Sequence, residues 1–310
     1  HTDSLKEKWI TDVAKQHKSD PILIEKVVRA LSLLEYLQNS KLDFIFKGGT
    51  ALMLLLKEPK RFSIDIDIIV SKKPDNMKEV LDTVLASSDF LEYNIDERQS
   101  KSNIEKEHYK FYYTPVTNAR AEQEYILLDI LYEESHYGEY TNDIEIKSPF
   151  IKSEGENVKV TVPIPEAILG DKLTAFAPNT TGVPYGRKKE VEIIKQLFDV
   201  GHLFDMVKVD VDKQGNAYVL ARIYNGRRQN QRNGEVNYAY KIISYQNNGK
   251  TLVEYDLDMD DVFITDLTFK VNRDKLTCAG FYSERKTSNS IKGTCFFSVD
   301  IASQEIVSKK

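Results

Sequence analysis

A serine and two aspartates alternate with isoleucines at Ser63, Asp65 and Asp67. Successive side chains of a β-strand point to opposite faces, so this spacing predicts a strand that presents all three polar groups on one face. Two carboxylates at this spacing repel each other, and a divalent cation between them relieves the repulsion. Mg²⁺ prefers carboxylate and phosphate oxygens, which is the coordination that phosphoryl and nucleotidyl transfer require.

A glycine pair, Gly48 and Gly49, lies between the short apolar stretch Asp43–Phe46 and the apolar run Ala51–Leu56. This order predicts a strand, a glycine turn and a helix. Such glycines allow the backbone to approach a phosphate, and the helix start presents free N–H groups to it. Neighbouring residues would add hydroxyl or positive groups around the same anion. These further candidates for nucleotide binding are Lys47, Thr50, Arg61 and Ser63.

Each part of this pattern also has an ordinary explanation. An Asp-x-Asp pair on an alternating strand is usually a solvated sheet face, and two glycines before a helix usually form a tight turn. The full combination, in which Ser63 follows Gly49 by 14 residues with a helix between them, is harder to obtain from packing requirements alone. We therefore favour the functional interpretation.

Hydrophobic periodicity predicts the elements that position these residues. The predicted helices cover Leu5–His17, Pro21–Gln38, Ala51–Leu56, Pro74–Ser87, Pro165–Ala177 and Arg187–Met206. The predicted strands cover Asp43–Phe46, Ser63–Val70, His108–Tyr113 and Tyr125–Tyr132. The order of these elements predicts an α+β fold over residues 1–206, with a mixed sheet and flanking helices.

Residues 207–310 differ from the first part of the chain. All nine prolines lie before residue 185, and a strand, acidic turn and strand pattern recurs at 209–224 and at 271–282. Turn dipeptides typical of a strand meander also occur here, at Gln214-Gly215, Asn225-Gly226, Asn233-Gly234 and Asn248-Gly249. We therefore predict a second domain at 207–310, an all-β repeat region that resembles propeller blades.

The overall composition is that of an ordinary globular chain of 310 residues with a formal net charge of −5. Apolar runs stay well short of the roughly 18 residues of a membrane span. The negative charge disfavours binding to nucleic acid by bulk charge alone, although it allows a local basic groove. Two cysteines, Cys278 and Cys295, cannot by themselves form a disulfide framework or a four-ligand zinc site, so we expect a reducing, cytoplasmic location.

Three segments together resemble a known enzyme family. Lys47–Leu52 followed by Arg61–Asp67 resembles the first motif of the AbiEii/AbiGii-type nucleotidyltransferase toxins, which belong to the DNA polymerase β-like nucleotidyltransferase superfamily. Asp171–Phe176 resembles the lysine-bearing helix of this family, and Lys195–Asp199 resembles its Lys-x-x-x-Asp segment. The resemblance covers residues 20–206.

This resemblance implies an enzyme that uses a nucleoside triphosphate and Mg²⁺, and some members of the family modify the 3′ end of tRNA. Members are typically toxins or phage-defence effectors that an antitoxin restrains. By resemblance, Asp65 and Asp67 would bind the metal ions, while Ser63, Gly48 and Gly49 would hold the triphosphate.

Three later residues would complete the site by the same resemblance. Lys172 would neutralise phosphate charge, Lys195 would bind the nucleotide, and Asp199 would be a late acidic residue of the site. Lysines on helices are more often solvated than catalytic, so only the family pattern supports Lys172 and Lys195.

Asp129 is the candidate for a third carboxylate, which the wider superfamily carries on a neighbouring strand. In Leu128-Asp129-Ile130, alternation points Asp129 away from its apolar neighbours. We give equal weight to the interpretation that Asp129 is an ordinary strand residue at a sheet surface. In the functional interpretation, Asp129 binds metal and accepts a proton from the acceptor hydroxyl as general base.

Two further groups of residues are interpreted as structural. The histidines are widely separated and lack ligands at a metal-binding spacing: His108, His136 and His202. The tyrosines of one predicted strand have the ring needed to stack on a base, but we assign them to the core or the sheet face: Tyr109, Tyr112 and Tyr113.

The preferred hypothesis is a Mg²⁺-dependent nucleotidyltransferase that transfers a nucleoside monophosphate to an acceptor hydroxyl, at the 3′ end of RNA or tRNA, as a toxin or phage-defence effector. Two alternatives stay open. One is a small-molecule nucleotidyltransferase of the aminoglycoside-modifying kind, and the other is a non-enzymatic β-repeat binding protein.

Overall fold

The structure is a computed structural model, and two compact units make up the chain, His1–Pro163 and Ile164–Lys310. It describes residues 2–56, 61–96, 105–118, 120–153, 155–176, 182–183, 186–227, 236–245, 251–257, 262–284 and 292–309. The predicted boundary at residue 206 differs from this division. It falls where the last helix ends at Met206, and the first strand of the following β region begins at Lys208. As a domain boundary it stays a prediction.

The first unit alternates helices and strands. A short 3₁₀ helix at Thr2–Leu5 precedes the α-helices α1 (Glu7–His17), α2 (Pro21–Asn39), α3 (Gly48–Leu55) and α4 (Met77–Ala86). The strands are β1 (Ile45–Lys47), β2 (Ile66–Val70), β3 (Glu92–Ile95), β4 (Glu105–Tyr113), β5 (Glu124–Tyr132), β6 (Thr141–Glu145) and β7 (Lys159–Pro163).

Five of these strands form a sheet in the order β1-β2-β5-β4-β3, and β6 pairs with β7 separately. β2 and β5 run parallel, whereas the other neighbours are antiparallel. The prediction of a mixed sheet with helices is therefore confirmed. In β4 and β5, buried residues alternate with less buried ones, so one sheet face lies in the core and the other, which carries His108 and Asp129, is partly exposed.

The longest helix, α2, is the centre of the core. Asp20 caps its first turn, since the Asp20 carboxylate accepts a hydrogen bond of 2.9 Å from the Ile22 N–H, and Pro21 occupies the first helical position. Most of its apolar residues are fully buried against the sheet and α4. Among the described helices, none is both long and apolar enough to cross a membrane.

Strand β2 is shorter than the prediction. It begins at Ile66, so Ser63 and Asp65 lie in the segment before it, and the predicted strand Ser63–Val70 is wrong at its start. Partner strand β1 pairs only as far as Asp67, so the residues before Ile66 lack a β1 partner. Among the described strands of the first unit, three were not predicted: β3, β6 and β7.

The second unit begins with helices α5 (Pro165–Phe176) and α6 (Glu190–Met206). Its strands are β8 (Lys208–Val211), β9 (Ala217–Arg227), β10 (Val236–Tyr245), β11 (Thr251–Asp256), β12 (Val262–Asn272), β13 (Lys275–Glu284), β14 (Lys292–Asp300) and β15 (Ile306–Lys309). They form two four-stranded antiparallel sheets, ordered β11-β10-β9-β8 and β12-β13-β14-β15, that share one apolar core.

Each of these sheets is a meander of consecutive strands, as predicted, but the described strands do not close into a propeller. Gln214-Gly215 lies in the β8–β9 turn, where Gly215 has a φ of +84°. The turn predicted at Asn225-Gly226 is wrong, because both residues lie within β9, where the register of its pairing with β10 shifts. The dipeptides Asn233-Gly234 and Asn248-Gly249 lie outside the described residues.

Candidate functional site

Strand register brings four polar side chains into a row across one face of the first unit's sheet. Lys47 of β1 is opposite Asp67 of β2, Asp67 is opposite Asp129 of β5, and Asp129 is opposite His108 of β4. Opposite residues on paired strands share a face, and neighbouring strands lie about 4.8 Å apart. We call this set, Lys47, Asp67, Asp129 and His108, the polar row. All four side chains are half-buried.

Gly48 starts helix α3 directly beside this row. Its φ of +79° is a backbone conformation that residues with a side chain rarely adopt. A Cβ at this position would overlap the Asp67 carboxylate, with the Asp67 Cγ only 2.9 Å away. Glycine at position 48 therefore lets the helix start and the Asp67 carboxylate occupy adjoining space.

Gly49 has the same relationship with two other predicted residues. A Cβ at Gly49 would lie 2.6 Å from the Ser63 hydroxyl oxygen and 2.8 Å from Nη2 of Arg61. The Arg61 side chain is also fixed by a 3.2 Å hydrogen bond from Nη1 to the Phe62 carbonyl oxygen. The structure thus gathers a hydroxyl, a guanidinium and a carboxylate around the first turn of α3.

The side chain of Thr50 contacts the backbone of Asp65. The Thr50 hydroxyl, which is fully buried, donates a 2.7 Å hydrogen bond to the Asp65 carbonyl oxygen. This bond ties α3 to the segment that leads into β2. The geometry favours a structural role for Thr50 over the phosphate contact that the sequence predicts. Asp65 is half-buried and lies two residues before Asp67, at the entry to the strand.

His108 is the member of the polar row that sequence reasoning missed. Its Nδ1 lies 2.7 Å from Oδ1 of Asp129, and we assign the proton to Nδ1 because a carboxylate accepts. The two residues are 21 positions apart, so local spacing cannot reveal the pair. The signal available in the sequence was the alternation of both strands, which places His108 and Asp129 on polar faces.

The late residues of the predicted site lie in the second unit. Lys172 on α5 and Asp199 on α6 form a salt bridge of 2.9 Å, with side chains only 11% and 3% exposed. Lys195 pairs instead with Glu192 at 3.4 Å on the exposed side of α6. Of the three late residues predicted from the sequence, Lys172 and Asp199 are in contact, whereas Lys195 pairs with a different residue.

The donor chemistry of the polar row suits Mg²⁺. Asp67 and Asp129 offer carboxylate oxygens on adjacent strands, and Mg²⁺ is usually bound through one or two carboxylates together with substrate phosphates and waters. Within the described part of the chain, no group of three or more His, Cys, Asp or Glu side chains is arranged as a complete metal cage.

The sequence also matches a known protein family. A family model described as nucleotidyl transferase AbiEii toxin, Type IV TA system, matches residues 32–263, which is 232 of the 310 residues. No curated protein sequence matches the chain.

Solved structures also resemble it. JHP933 from Helicobacter pylori is similar at 22% identity and a TM-score of 0.41, over 58% of this chain and 67% of that one. An antigenic nucleotidyltransferase-like protein from Paracoccidioides brasiliensis is similar at 15% identity and a TM-score of 0.39, over 60% of this chain and 78% of that one.

Proposed function

Because the chain belongs to the AbiEii family of nucleotidyl transferase toxins and is a nucleotidyltransferase, we propose that it transfers a nucleoside monophosphate from an NTP to the 3′-terminal hydroxyl of RNA, with tRNA as the acceptor. We further propose Mg²⁺ dependence and a role as a toxin or phage-defence effector. The observation that carries the proposal is the register of Asp67 and Asp129 on adjacent strands beside the glycine start of α3.

The start of α3 would receive the triphosphate. Helix N-termini carry free N–H groups and the positive end of the helix dipole, and both favour a phosphate group. Because Gly48 and Gly49 have no side chains, the Asp67 carboxylate, the Ser63 hydroxyl and the Arg61 guanidinium lie directly against this helix start. Ser63 and Arg61, which border Gly49, would then donate hydrogen bonds to phosphate oxygens, and Arg61 would do so with a full positive charge.

Asp67 and Asp129 would hold the metal, and Asp65 is the candidate for a further ligand. When bound, Mg²⁺ supplies a Lewis acid that neutralises triphosphate charge and lowers the pKa of an acceptor hydroxyl. The chain's own contribution is orientation. The β2–β5 ladder fixes the spacing of the two carboxylates, and the His108 ring holds Oδ1 of Asp129.

Asp129 would also take up the proton that the acceptor hydroxyl releases. One of its oxygens is engaged by His108, which leaves Oδ2 as the atom for proton uptake. Transfer then needs no covalent enzyme intermediate, because the acceptor oxygen attacks the α-phosphate and pyrophosphate leaves. The roles of Lys172, Lys195 and Asp199 toward the nucleotide stay predictions from the family resemblance.

The family description names a type IV toxin–antitoxin system, which supports an antitoxin as a partner of the gene product. We therefore propose that expression of the active chain arrests growth. Expression of the Asp67→Ala variant would leave growth unaffected, and an arrest that persists with this variant would contradict a toxicity based on nucleotide transfer.

A direct transfer assay tests the activity. The purified chain is incubated with each labelled NTP, Mg²⁺ and total tRNA, beside Asp67→Asn and the exposed control Asp75→Asn. We expect label on RNA with the wild type and with Asp75→Asn but not with Asp67→Asn. Label on an aminoglycoside instead of RNA, or undiminished transfer by Asp67→Asn, would contradict the proposal.

A further inference from the structure

The polar row continues along the same sheet face toward a pair of tyrosines. Register places Lys110 opposite Leu127 and Tyr112 opposite Tyr125, on the strands that carry His108 and Asp129. Tyr125 is four residues from Asp129, so it shares that face at a distance of about 13 Å along β5.

The two tyrosine rings form a platform that the core does not use. Their centroids are 5.8 Å apart with an interplanar angle of 58°, and Tyr125 is 39% exposed. The other aromatic residues of β4 have a different environment, because Tyr109 and Tyr113 are buried in the core as predicted. Within the described core cluster, neither Tyr112 nor Tyr125 is a member.

Two ammonium groups lie beside this platform. Lys110 Nζ is 5.2 Å and Lys26 Nζ is 5.9 Å from the centroid of the Tyr125 ring. Each is also held by a carboxylate, with Lys110 at 3.0 Å from Asp96 and Lys26 at 2.9 Å from Glu124. The carboxylates fix the positions of the cations. Aromatic rings with adjacent cations are the combination that binds unstacked bases and the phosphates between them.

From this continuity we propose that the Tyr112–Tyr125 platform binds the single-stranded 3′ end of the RNA acceptor, with the terminal nucleotide at the polar row and an upstream base on the tyrosines. The inference rests on the proposed function for the location of the reacting end. Bases of single-stranded RNA ends are recognised by stacking on aromatic side chains together with hydrogen bonds to the base edges. A separation of about 13 Å between the carboxylates and the rings leaves room for more than one nucleotide.

Binding without turnover tests the platform separately from catalysis. Fluorescence anisotropy measures a 5′-labelled single-stranded RNA against the full chain, with EDTA present and NTP absent. The double variant Tyr112→Leu/Tyr125→Leu should bind about tenfold more weakly, since stacking of one base changes affinity by about 5-fold to 150-fold. Phe296→Leu is a matched control, because Phe296 is a strand aromatic that is 50% exposed. It should bind RNA as the wild type does.

A conservative variant guards against loss of folding. Tyr112→Phe/Tyr125→Phe keeps both rings, so it should retain binding even if the leucine variant unfolds. RNA that binds the leucine variant as tightly as the wild type would overturn the proposal, and so would equal binding of a duplex. A DNA oligonucleotide that binds more tightly than RNA of the same sequence would overturn the RNA assignment.

The two proposals can fail independently. If the leucine variant loses RNA binding while Asp67→Asn still transfers nucleotide, the platform stands and the catalytic assignment is wrong. If transfer depends on Asp67 but RNA binding ignores both tyrosines, the catalytic assignment stands and the platform is wrong.

Discussion

Two pairs of charged side chains in this molecule differ in the signs of their charges and in their exposure to water. On the sheet of the first unit, Asp67 and Asp129 are neighbouring like charges that remain half-exposed. Between α5 and α6 in the second unit, Lys172 and Asp199 are opposite charges that are almost fully buried 2.9 Å apart.

The two pairs differ in whether a cation from solution or from a substrate would stabilise them. Neighbouring carboxylates gain from a cation that the solution or a substrate supplies, which is the property of a binding site. A buried ion pair satisfies itself, and its removal is felt chiefly in stability. We therefore expect substitutions in the polar row to change activity, and substitutions in the Lys172–Asp199 pair to change the free energy of unfolding.

The largest effect is expected for Asp67→Asn. A catalytic metal contributes several kcal/mol of transition-state stabilisation, so losing its ligand should slow transfer by about 10³-fold. The fold should be retained, because asparagine keeps the shape of the aspartate side chain at this half-buried position. Steady-state transfer rates and thermal melts measure the two quantities. A variant that melts well below the wild type would mean that Asp67 is a structural residue.

The second effect is the converse, for Lys172→Met. Lys172→Met removes the 2.9 Å ion pair of the buried Asp199 carboxylate, and breaking a buried pair typically costs about 3–5 kcal/mol of unfolding free energy. The double variant Lys172→Met/Asp199→Leu should recover much of that loss, because the buried carboxylate is removed together with the lysine. Urea unfolding of the single and double variants measures this. If the single variant keeps its stability and loses only transfer, the pair belongs to catalysis and the contrast fails.

Glycine substitutions sharpen the description of the α3 start. Gly48→Ala should reduce transfer by about tenfold or more, because the new methyl group collides with Asp67 in addition to straining a positive φ. Gly138→Ala is the matched control, since Gly138 has a φ of +52° and nothing within 4 Å of a Cβ. Both variants should lose some stability, and only the first should lose transfer. Equal transfer rates would exclude the close approach at Gly48.

The smallest effect is expected for Glu166 on α5, a single carboxyl group whose burial makes stability depend on pH. Burial raises the pKa of this carboxyl from 4.5 to about 7, while its backbone hydrogen bond and Arg222 oppose the shift only in part. Between these values the unfolded chain releases a proton that the folded chain retains, so stability should fall as pH rises from 4.5 to about 7. Above that window the loss should stay constant.

Glu166→Gln removes this titration. Thermal melts at several pH values should show the variant and the wild type alike near pH 4.5, with the variant gaining steadily as pH rises to about 7. A difference in melting temperature that does not depend on pH would contradict the raised pKa.

Local pattern predicted much of the first unit. The alternation of β5 placed Asp129 opposite to its apolar neighbours, and hydrophobic periodicity predicted α2 from Pro21 onward. The pairing of Lys172 with Asp199 was not available from spacing, because it joins two helices across 27 residues of chain. The family resemblance named both residues without indicating that they meet.

The misses have one physical cause, which is that strand pairing is decided by partners distant in sequence. β2 starts at Ile66, where its pairing with β5 begins opposite Leu128, whereas the isoleucine alternation begins earlier, at Ile64. His108 entered the site only through its register with Asp129. Repeats in the β region predicted meanders, but closure into a propeller depends on how sheets pack, which a repeat pattern does not encode.

The central claim is that Asp67 and Asp129 hold a metal-bound nucleotide at the start of α3. Isothermal titration calorimetry with a non-hydrolysable NTP analogue tests it most directly, with Mg²⁺ or EDTA, on the wild type, Asp67→Asn and Asp75→Asn. The account predicts that binding requires Mg²⁺. It also predicts that Asp67→Asn weakens binding by at least about tenfold, which is about 1.4 kcal/mol, whereas Asp75→Asn binds as the wild type does. Equal affinity in EDTA, or undiminished affinity in Asp67→Asn, would contradict it.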